Sequence, residues 1–237
     1  MNIKFKVVAN SSQQETDLIW DKLKMIRFLE DHRYLISLPD HPLIDQLLEK
    51  ARINALNDSD YQALSDLMEQ SIYCSSDYQV GIEAIQACLN QQFDYPFLTR
   101  YNKLWNFKLF AEYEVRLTLY GPGGEYRPDS GTIIILTTKS GSFRRGDNPL
   151  VTMIHEMIHI GLEEAIIQTY NIPHIVKEQI VDLFAQFHFS DLLPNYLMQT
   201  FVPIRIKDYL KSQADWDTLP EVLDRFIREN NPPNNPL

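Results

Sequence analysis

The sequence predicts a mostly helical α+β fold: a helical N-terminal lobe, a small β-sheet that includes an edge strand, and further helices after the sheet. Apolar residues recur mostly at helical spacing between residues 13 and 92. They alternate with polar residues after Phe110, and helical spacing returns after Pro149. The chain has 237 residues, of which 44% are hydrophobic, so it buries a substantial core and is not mainly disordered.

The first predicted element is a strand at the N-terminus. Ile3, Phe5 and Val7 alternate with lysines, and the sequence turns polar before any apolar run reaches the length of a signal peptide. A membrane-spanning helix needs about eighteen uninterrupted apolar residues, and no segment of the sequence has them. We therefore expect a cytoplasmic protein with no membrane partner.

Helices are predicted along most of the N-terminal lobe, which we assign to residues 1–109. Asp40 is the predicted cap of the second of these helices, which has Pro42 in its first turn. None of the helices has the residue spacing of a ligand or catalytic motif, so we expect them to form a packing lobe. Their apolar stripes span residues 18–29, 43–51, 61–72 and 78–90.

Two strands are predicted next, within a second unit over residues 110–228. Apolar and polar residues alternate over 113–120, which is typical of a half-buried strand, and turn residues follow at 121–124. The continuous apolar run in 132–138 predicts a second strand in a sheet covered on both faces. A helix is expected to start near Pro149, capped by Asp147 or Asn148. Residues 229–237, rich in Pro and Asn, predict a disordered tail.

Charge and cysteine content exclude several classes of protein. The formal charge is −10, from 22 Lys and Arg against 32 Asp and Glu, which argues against broad nucleic-acid binding. The only basic cluster is the pair Arg144 and Arg145, which hints at a preference for an acidic group or a C-terminal carboxylate. Cys74 and Cys88 cannot form a dense disulfide framework and are interpreted as reduced thiols.

The most informative segment is residues 155–159, which read His-Glu-Met-Ile-His. Two histidines at i and i+4 on a helix are separated by about 400° of rotation, so both imidazoles leave the same face and can reach one zinc ion. Glu156 is offset by about 100°, which places it beside an attacking water as a general base. Surface histidines and an ion-paired glutamate are the alternative. Apolar neighbours indicate instead that the histidines point inward, where a metal offsets the cost of burial.

A third ligand is expected after this motif, because catalytic zinc keeps three protein ligands. Pro173 starts a predicted helix on which Glu178 and Asp182 lie four residues apart on one face. His174 precedes Glu178 by four residues and is a rival ligand. Glu163 and Glu164 are weaker rivals, because we expect Gly161 to break the helix before they align with His159.

This ordered set resembles the gluzincin class of zinc metallopeptidases, in which HExxH is followed by a glutamate ligand on a second helix, often as ExxxD. Glu178 lies nineteen residues after His159, close to the thermolysin-like spacing. The resemblance covers residues 155–182 and an upstream strand in the place of the substrate-binding edge strand, and it implies a zincin-like core. It implies that His155, His159 and Glu178 are the three zinc ligands and that Glu156 is the general base. It also implies that Asp182 is a supporting carboxylate that fixes the tautomer of a ligand imidazole.

Further candidates follow from the same resemblance. Tyr170 lies eleven residues after His159, where thermolysin-like enzymes carry a tyrosine, and His174 becomes an electrophilic partner if Glu178 binds zinc. Tyr126 and Arg127 lie beside the strand that leads to the site, but the sequence does not favour them as substrate contacts. The chain has no GxMEN-type exopeptidase motif, so the aminopeptidase branch is not supported. The remaining histidines are interpreted as structural or surface residues: His32, His41 and His188.

The sequence therefore predicts a zinc-dependent endopeptidase that uses one Zn²⁺ ion and acts on a peptide or protein substrate, with no nucleic-acid partner. We expect the strand at 132–138 to hold the substrate in an extended conformation. The alternative is a non-enzymatic zinc-binding regulatory or interaction protein on a peptidase-like core. The sequence predicts neither the natural substrate nor the oligomeric state.

Overall fold

The computed structural model describes residues 3–89, 95–144, 148–198 and 205–230, and it confirms the mostly helical α+β class. Met25 separates two helices within the first predicted stripe, and the fourth helix continues as a π-helical turn over Met68–Ile72. The helices before the main part of the sheet are α1 (Ser12–Lys24), α2 (Ile26–Asp31), α3 (Pro42–Arg52), α4 (Asp58–Leu67), α5 (Gln79–Cys88) and α6 (Pro96–Trp105).

One predicted helix cap differs from the structure. Helix α3 is capped by His41 and not by Asp40, since Nδ1 of His41 accepts a hydrogen bond from the Leu43 amide at 3.1 Å. Pro42 lies in the first turn as expected.

The sheet is mixed and has four strands among the described residues. The strands are β1 (Lys4–Ala9), β2 (Glu112–Thr118), β3 (Gly124–Arg127) and β4 (Thr132–Leu136), in the order β1-β2-β4-β3. Strands β1, β2 and β4 are parallel, and β3 is antiparallel to β4. The predicted N-terminal strand is thus confirmed as β1, which pairs with β2 from Lys4↔Glu112 to Ala9↔Leu117.

The position of the edge strand was predicted wrongly. The segment at 132–138 contains β4, which is hydrogen-bonded to β2 on one side and β3 on the other, so it has no free edge for a substrate. Its three buried isoleucines, Ile133, Ile134 and Ile135, suit an inner strand. The edge next to β4 is β3, a four-residue strand that begins inside the predicted turn at 121–124.

The helices after the sheet form the wall on which the site is built. Helix α7 (Leu150–Leu162) packs against β3, β4 and α8 (His174–His188). Asn148 accepts a hydrogen bond from the Leu150 amide at 3.0 Å, while the rival cap Asp147 lies outside the described residues. The last helices of the described residues are α9 (Gln213–Asp217) and α10 (Leu219–Asn230). Residues 229 and 230 of the predicted tail are therefore helical, and the rest of it lies outside the described residues.

Two hydrophobic clusters hold the fold together. The smaller cluster joins α1, α2, α3 and α4, and the larger one joins the sheet to α5, α6, α7 and α8. The division of the chain into two units, residues 1–109 and 110–228, stays a prediction. The sheet contains strands from both units, because β1 pairs with β2. In the part of the chain that the structure describes, each helix is too short or too polar to cross a membrane.

Candidate metal centre

Helix α7 places both motif histidines inside the protein. It is buried along nearly its whole length, and His155 and His159 are each only 2% exposed. Ile154, Met157 and Ile158 fill the core around them, so the helix has almost no solvent face. The inward orientation expected from the apolar context is therefore what the structure shows.

Glu178 of α8 meets the two histidines. His155 Nε2 and His159 Nε2 are 3.1 Å apart, and Glu178 Oε2 lies 3.3 Å from the former and 3.4 Å from the latter. Burial alone raises the pKa of Glu178, but hydrogen bonds with both imidazoles outweigh this and hold its pKa below the ordinary value. These three buried side chains form a group that could hold a metal ion.

The tautomer of His155 is set by a tyrosine that the sequence motif does not reveal. The Tyr196 hydroxyl donates a hydrogen bond to Asp182 Oδ1 at 2.6 Å. The hydroxyl oxygen of Tyr196 also lies 2.8 Å from His155 Nδ1. Because this proton goes to Asp182, the hydroxyl can accept a hydrogen bond from Nδ1–H of His155, which is the tautomer in which Nε2 serves as a metal ligand. Asp182 is itself 3.5 Å from His155 Nδ1, so it acts on this imidazole mainly through Tyr196.

The other ligand imidazole is held by stacking. Tyr126 of β3 lies parallel to His159, with ring centroids 4.9 Å apart and an interplanar angle of 4°. Its hydroxyl donates to Glu163 Oε2 at 2.7 Å and receives a hydrogen bond from Lys177 Nζ at 3.1 Å. Burial and the nearby carboxylates raise the pKa of Tyr126, so the phenol stays protonated. Tyr126, named but not favoured from the sequence, therefore contacts a candidate ligand.

Glu163 and Glu164 take no part in the candidate metal group, but the expected reason was wrong. The helix does not break at Gly161, because α7 runs to Leu162 and continues as a π-helical turn over Glu163–Gln168. Gly161 is required by packing, since a Cβ there would overlap the ring of Phe107. Glu163 turns toward Tyr126, and Glu164 pairs with Lys108.

The remaining candidates lie at different distances from the group. His174 Nδ1 is 3.6 Å from Glu178 Oε1, and its Nε2 is hydrogen-bonded to the Tyr34 hydroxyl at 2.8 Å, so His174 lies beside the three-residue group. Burial lowers the pKa of His174. Tyr170 is not brought to the site. It packs against the larger hydrophobic cluster, and burial together with the charges of Asp224 and Glu221 in α10 raises its pKa.

Glu156 and the metal group face one cleft of about 700 Å³. Gly124 of β3 makes room for the Glu156 carboxylate, because a Cβ at that position would lie 2.2 Å from Glu156 Oε1. Tyr34 and Leu35, which follow α2, and residues of α2 itself also line the cleft. The N-terminal helices were expected to serve only as packing, yet they form one side of the site.

Arg144, the described residue of the basic pair before α7, has a structural role. Arg144 donates to the backbone carbonyls of Leu35 and Pro122, which ties the α2–α3 connection to the turn before β3. Arg145 lies outside the described residues. Arg127 lines the cleft and lies 3.6 Å from Glu125.

The three other histidines lie away from the metal group. His188 Nε2 contacts the Tyr101 hydroxyl at 2.9 Å, and burial among aromatic rings lowers its pKa to about 4. His41 caps α3, and His32 contacts the Phe28 carbonyl at 2.8 Å. These contacts agree with the structural role expected from the sequence.

Comparisons with protein-family models, with curated proteins and with solved structures found no match. The resemblance to gluzincins therefore stays a prediction from residues 155–182.

Proposed function

We propose that this protein is a zinc-dependent metallopeptidase that hydrolyses peptide bonds. The observation that carries the proposal is the arrangement of His155, His159 and Glu178, whose ligand atoms meet at one wall of a cleft that also contains Glu156. A cleft beside the group gives a substrate access to the position that the protein ligands leave open.

The spacing of the three atoms supports zinc as the metal. Tetrahedral zinc with bonds of about 2.0–2.1 Å places its ligand atoms about 3.3–3.4 Å apart. The three separations here are 3.1, 3.3 and 3.4 Å. Two imidazoles and one carboxylate are also a donor set of catalytic zinc sites. The Tyr196 hydroxyl and the Tyr126 ring then keep the imidazoles in the orientation that binding needs.

Each side chain has a defined role in the proposed reaction. When bound, zinc supplies a Lewis acid that polarises the scissile carbonyl and acidifies a water. Glu156 takes a proton from the attacking water and transfers it to the leaving amine, and Gly124 lets its carboxylate approach β3. Strand β3 pairs only with β4 among the described strands, so its other edge can bind an extended peptide. This is the role that the sequence assigned to the segment at 132–138.

The alternative is a non-enzymatic zinc-binding regulatory or interaction protein. A purely structural zinc site takes four protein ligands and is closed to solvent. In the described part of the chain the group has three ligands and lines an open cleft, which supports the enzyme.

Metal content and peptide hydrolysis, measured together, test the proposal. We expect purified wild type to hold one zinc per chain and to cleave members of a broad peptide library. Glu156→Gln should keep the zinc and lose activity by at least about a hundredfold. Glu178→Gln should lose zinc and activity together. Glu164→Gln is the matched control, since this exposed glutamate pairs with Lys108 and should leave both unchanged. Full zinc content with no cleavage by wild type, or equal activity in Glu156→Gln, would overturn the proposal.

A further inference from the structure

One residue on the wall of the cleft has an unusual backbone conformation. Among the described residues, four other than glycine have a positive φ, and three of them are asparagines: Asn54, Asn106 and Asn171. Asparagine is the side chain that tolerates this region best after glycine. The fourth is Arg33, with a φ of 57°. A long cationic side chain therefore occupies a position whose backbone conformation favours Gly or Asn.

A second helix end shows that this geometry does not require arginine. After α2, the Arg33 amide donates to the Glu30 carbonyl and the Tyr34 amide to the Leu29 carbonyl. After α3, the Asn54 amide donates to the Ala51 carbonyl and the Ala55 amide to the Lys50 carbonyl. Both are Schellman motifs with the same positions bonded. The α3 copy uses Asn54, so the backbone alone does not explain the arginine in the α2 copy.

The side chain of Arg33 is exposed and lines the cleft that contains the metal group. Its neighbour Tyr34 is hydrogen-bonded to His174, and His174 lies 3.6 Å from Glu178. This short chain of contacts ties the end of α2 to the candidate metal centre. Arg33 therefore lines the same cleft as the metal group, on the segment that follows α2.

The cleft has the opposite charge balance to the whole protein. Among the described residues its lining contains five Lys and Arg side chains and three Glu, whereas the chain has 22 Lys and Arg against 32 Asp and Glu. A cleft lined by one sign of charge concentrates ligands of the other sign. The lining charged residues are Lys22, Arg33, Arg127, Arg144 and Lys177, with Glu125, Glu156 and Glu178.

The other four cations already have partners. Lys22 and Arg127 both approach Glu125, at 2.7 and 3.6 Å. Lys177 donates to the Tyr126 hydroxyl, and Arg144 donates to backbone carbonyls. In the part of the chain that the structure describes, the Arg33 guanidinium makes no hydrogen bond or ion pair. It is the cation whose donors stay available to a ligand.

We propose that Arg33 is a specificity residue that binds a carboxylate of the peptide substrate. This inference rests on the proposed peptidase function, because the cleft is taken as the substrate site. A carboxylate matches the planar fork of the guanidinium. It belongs either to an acidic side chain near the scissile bond or to the C-terminus of the peptide.

The test uses zinc-loaded full-length protein and two pairs of peptides. The first pair differs by Glu against Gln at positions scanned along a C-terminally amidated peptide, and the second by a free or amidated C-terminus. We expect kcat/KM of wild type to favour the carboxylate member of one pair by about tenfold, as one charge-assisted hydrogen bond provides. The pair that shows the preference identifies the source of the carboxylate.

Arg33→Gly separates recognition from folding. Glycine fits the positive φ, so this variant should melt at the wild-type temperature or above it, yet lose the preference for the carboxylate peptide. Its kcat/KM for the carboxylate peptide should fall about tenfold further than its kcat/KM for the neutral peptide, since only the carboxylate peptide loses the charge-assisted hydrogen bond. Asn54→Gly, at the equivalent position after α3, should keep the full preference. Wild type without a preference, or Arg33→Gly that retains it, would overturn the proposal.

Binding to the zinc-loaded Glu156→Gln protein distinguishes this failure from failure of the peptidase proposal. The affinities of the same peptides are measured with and without Arg33→Gly by fluorescence polarisation. An Arg33-dependent preference in binding without hydrolysis by wild type refutes the peptidase but supports the carboxylate site. Hydrolysis by wild type with equal affinities refutes the carboxylate site alone. Absence of both binding and hydrolysis refutes both.

Discussion

Gly124→Ala tests whether the position of the Glu156 carboxylate sets the rate. The added Cβ would lie 2.2 Å from Glu156 Oε1 and 2.7 Å from Thr152 Cγ2, where ordinary contacts begin at 3.4 Å. The carboxylate oxygen must therefore move by about 1.2 Å. A displacement of about 1 Å at a reacting group costs about a hundredfold in rate. The three atoms nearest this Cβ belong to Glu156 and Thr152 and not to the proposed zinc ligands, so we expect zinc content to stay at one per chain.

The assay is kcat and KM for a cleaved peptide, together with zinc content and thermal unfolding. Overpacking costs about 1–3 kcal/mol of folding free energy, so Gly124→Ala should remain folded at 25 °C. Gly81→Ala is the matched control. Its Cβ would lie 2.9 Å from Thr137 Oγ1, a milder crowding than at Gly124, on a helix none of whose residues lines the cleft. We expect Gly81→Ala to lose stability but to keep kcat.

A double-mutant cycle gives the sharpest refutation. If Gly124→Ala acts by moving the Glu156 carboxylate, it should cost almost nothing further in a Glu156→Gln background. An additional hundredfold loss in that background would show that the alanine acts on something else. Wild-type kcat in Gly124→Ala itself would show that the rate does not depend on this approach of Glu156 to β3.

Three further predictions concern the surroundings of the site and the core. Tyr196→Phe removes the hydroxyl between His155 and Asp182 and should weaken zinc affinity by about tenfold or more in chelator competition; unchanged affinity would contradict its role. Chelation should lower Tm by about 10 °C, because zinc at about a thousandfold over its Kd stabilises the native state by about 4 kcal/mol; equal Tm values would argue against the site. Burial raises the pKa of Glu15, so its contribution to stability is present below about pH 4.5 and is lost as pH rises through the raised pKa. As pH rises through this range, the free energy of unfolding of Glu15→Gln should therefore increase relative to wild type, by about 1.4 kcal/mol for each unit by which the pKa of Glu15 is raised. Denaturant unfolding at several pH values measures this, and a difference between the two proteins that does not change with pH would refute it.

The two histidines of the donor group were predictable from local geometry, whereas Glu178 was predicted from its place on the following helix and from the resemblance to gluzincins. His155 and His159 share a helical face by their i, i+4 spacing, and the structure joins them to Glu178. The apolar neighbours on α7 correctly indicated that the imidazoles point inward. Helical periodicity also placed α1, α3 and α5, since an amphipathic stripe is a property of a short segment.

The residues around the donor group were not predictable in the same way. Tyr196 follows Asp182 by fourteen residues on irregular chain, so no periodicity connects them. Strand β3 has only four residues, and the preceding turn sequence obscured its start. Its place at the edge follows from pairing with β4, a long-range contact that alternation within one segment does not encode. The continuous apolar run of β4 did indicate an inner strand of the sheet. That run therefore argues against the expectation that the segment at 132–138 forms the substrate-binding edge.

The position of α2 shows why the N-terminal helices matter to the site although they carry no motif. The apolar stripes of α1, α2, α3 and α4 pack in the smaller hydrophobic cluster, and this cluster fixes where α2 ends. The end of α2 then brings Tyr34 to His174, across 140 residues of sequence. Helices α7 and α8, which carry the candidate metal group, pack in the larger cluster, while the cleft residues of α2 are supported by the smaller one. If the proposed function holds, recognition can therefore change through residues after α2 without disturbing the metal ligands, and Arg33→Gly and Glu178→Gln test these two properties separately.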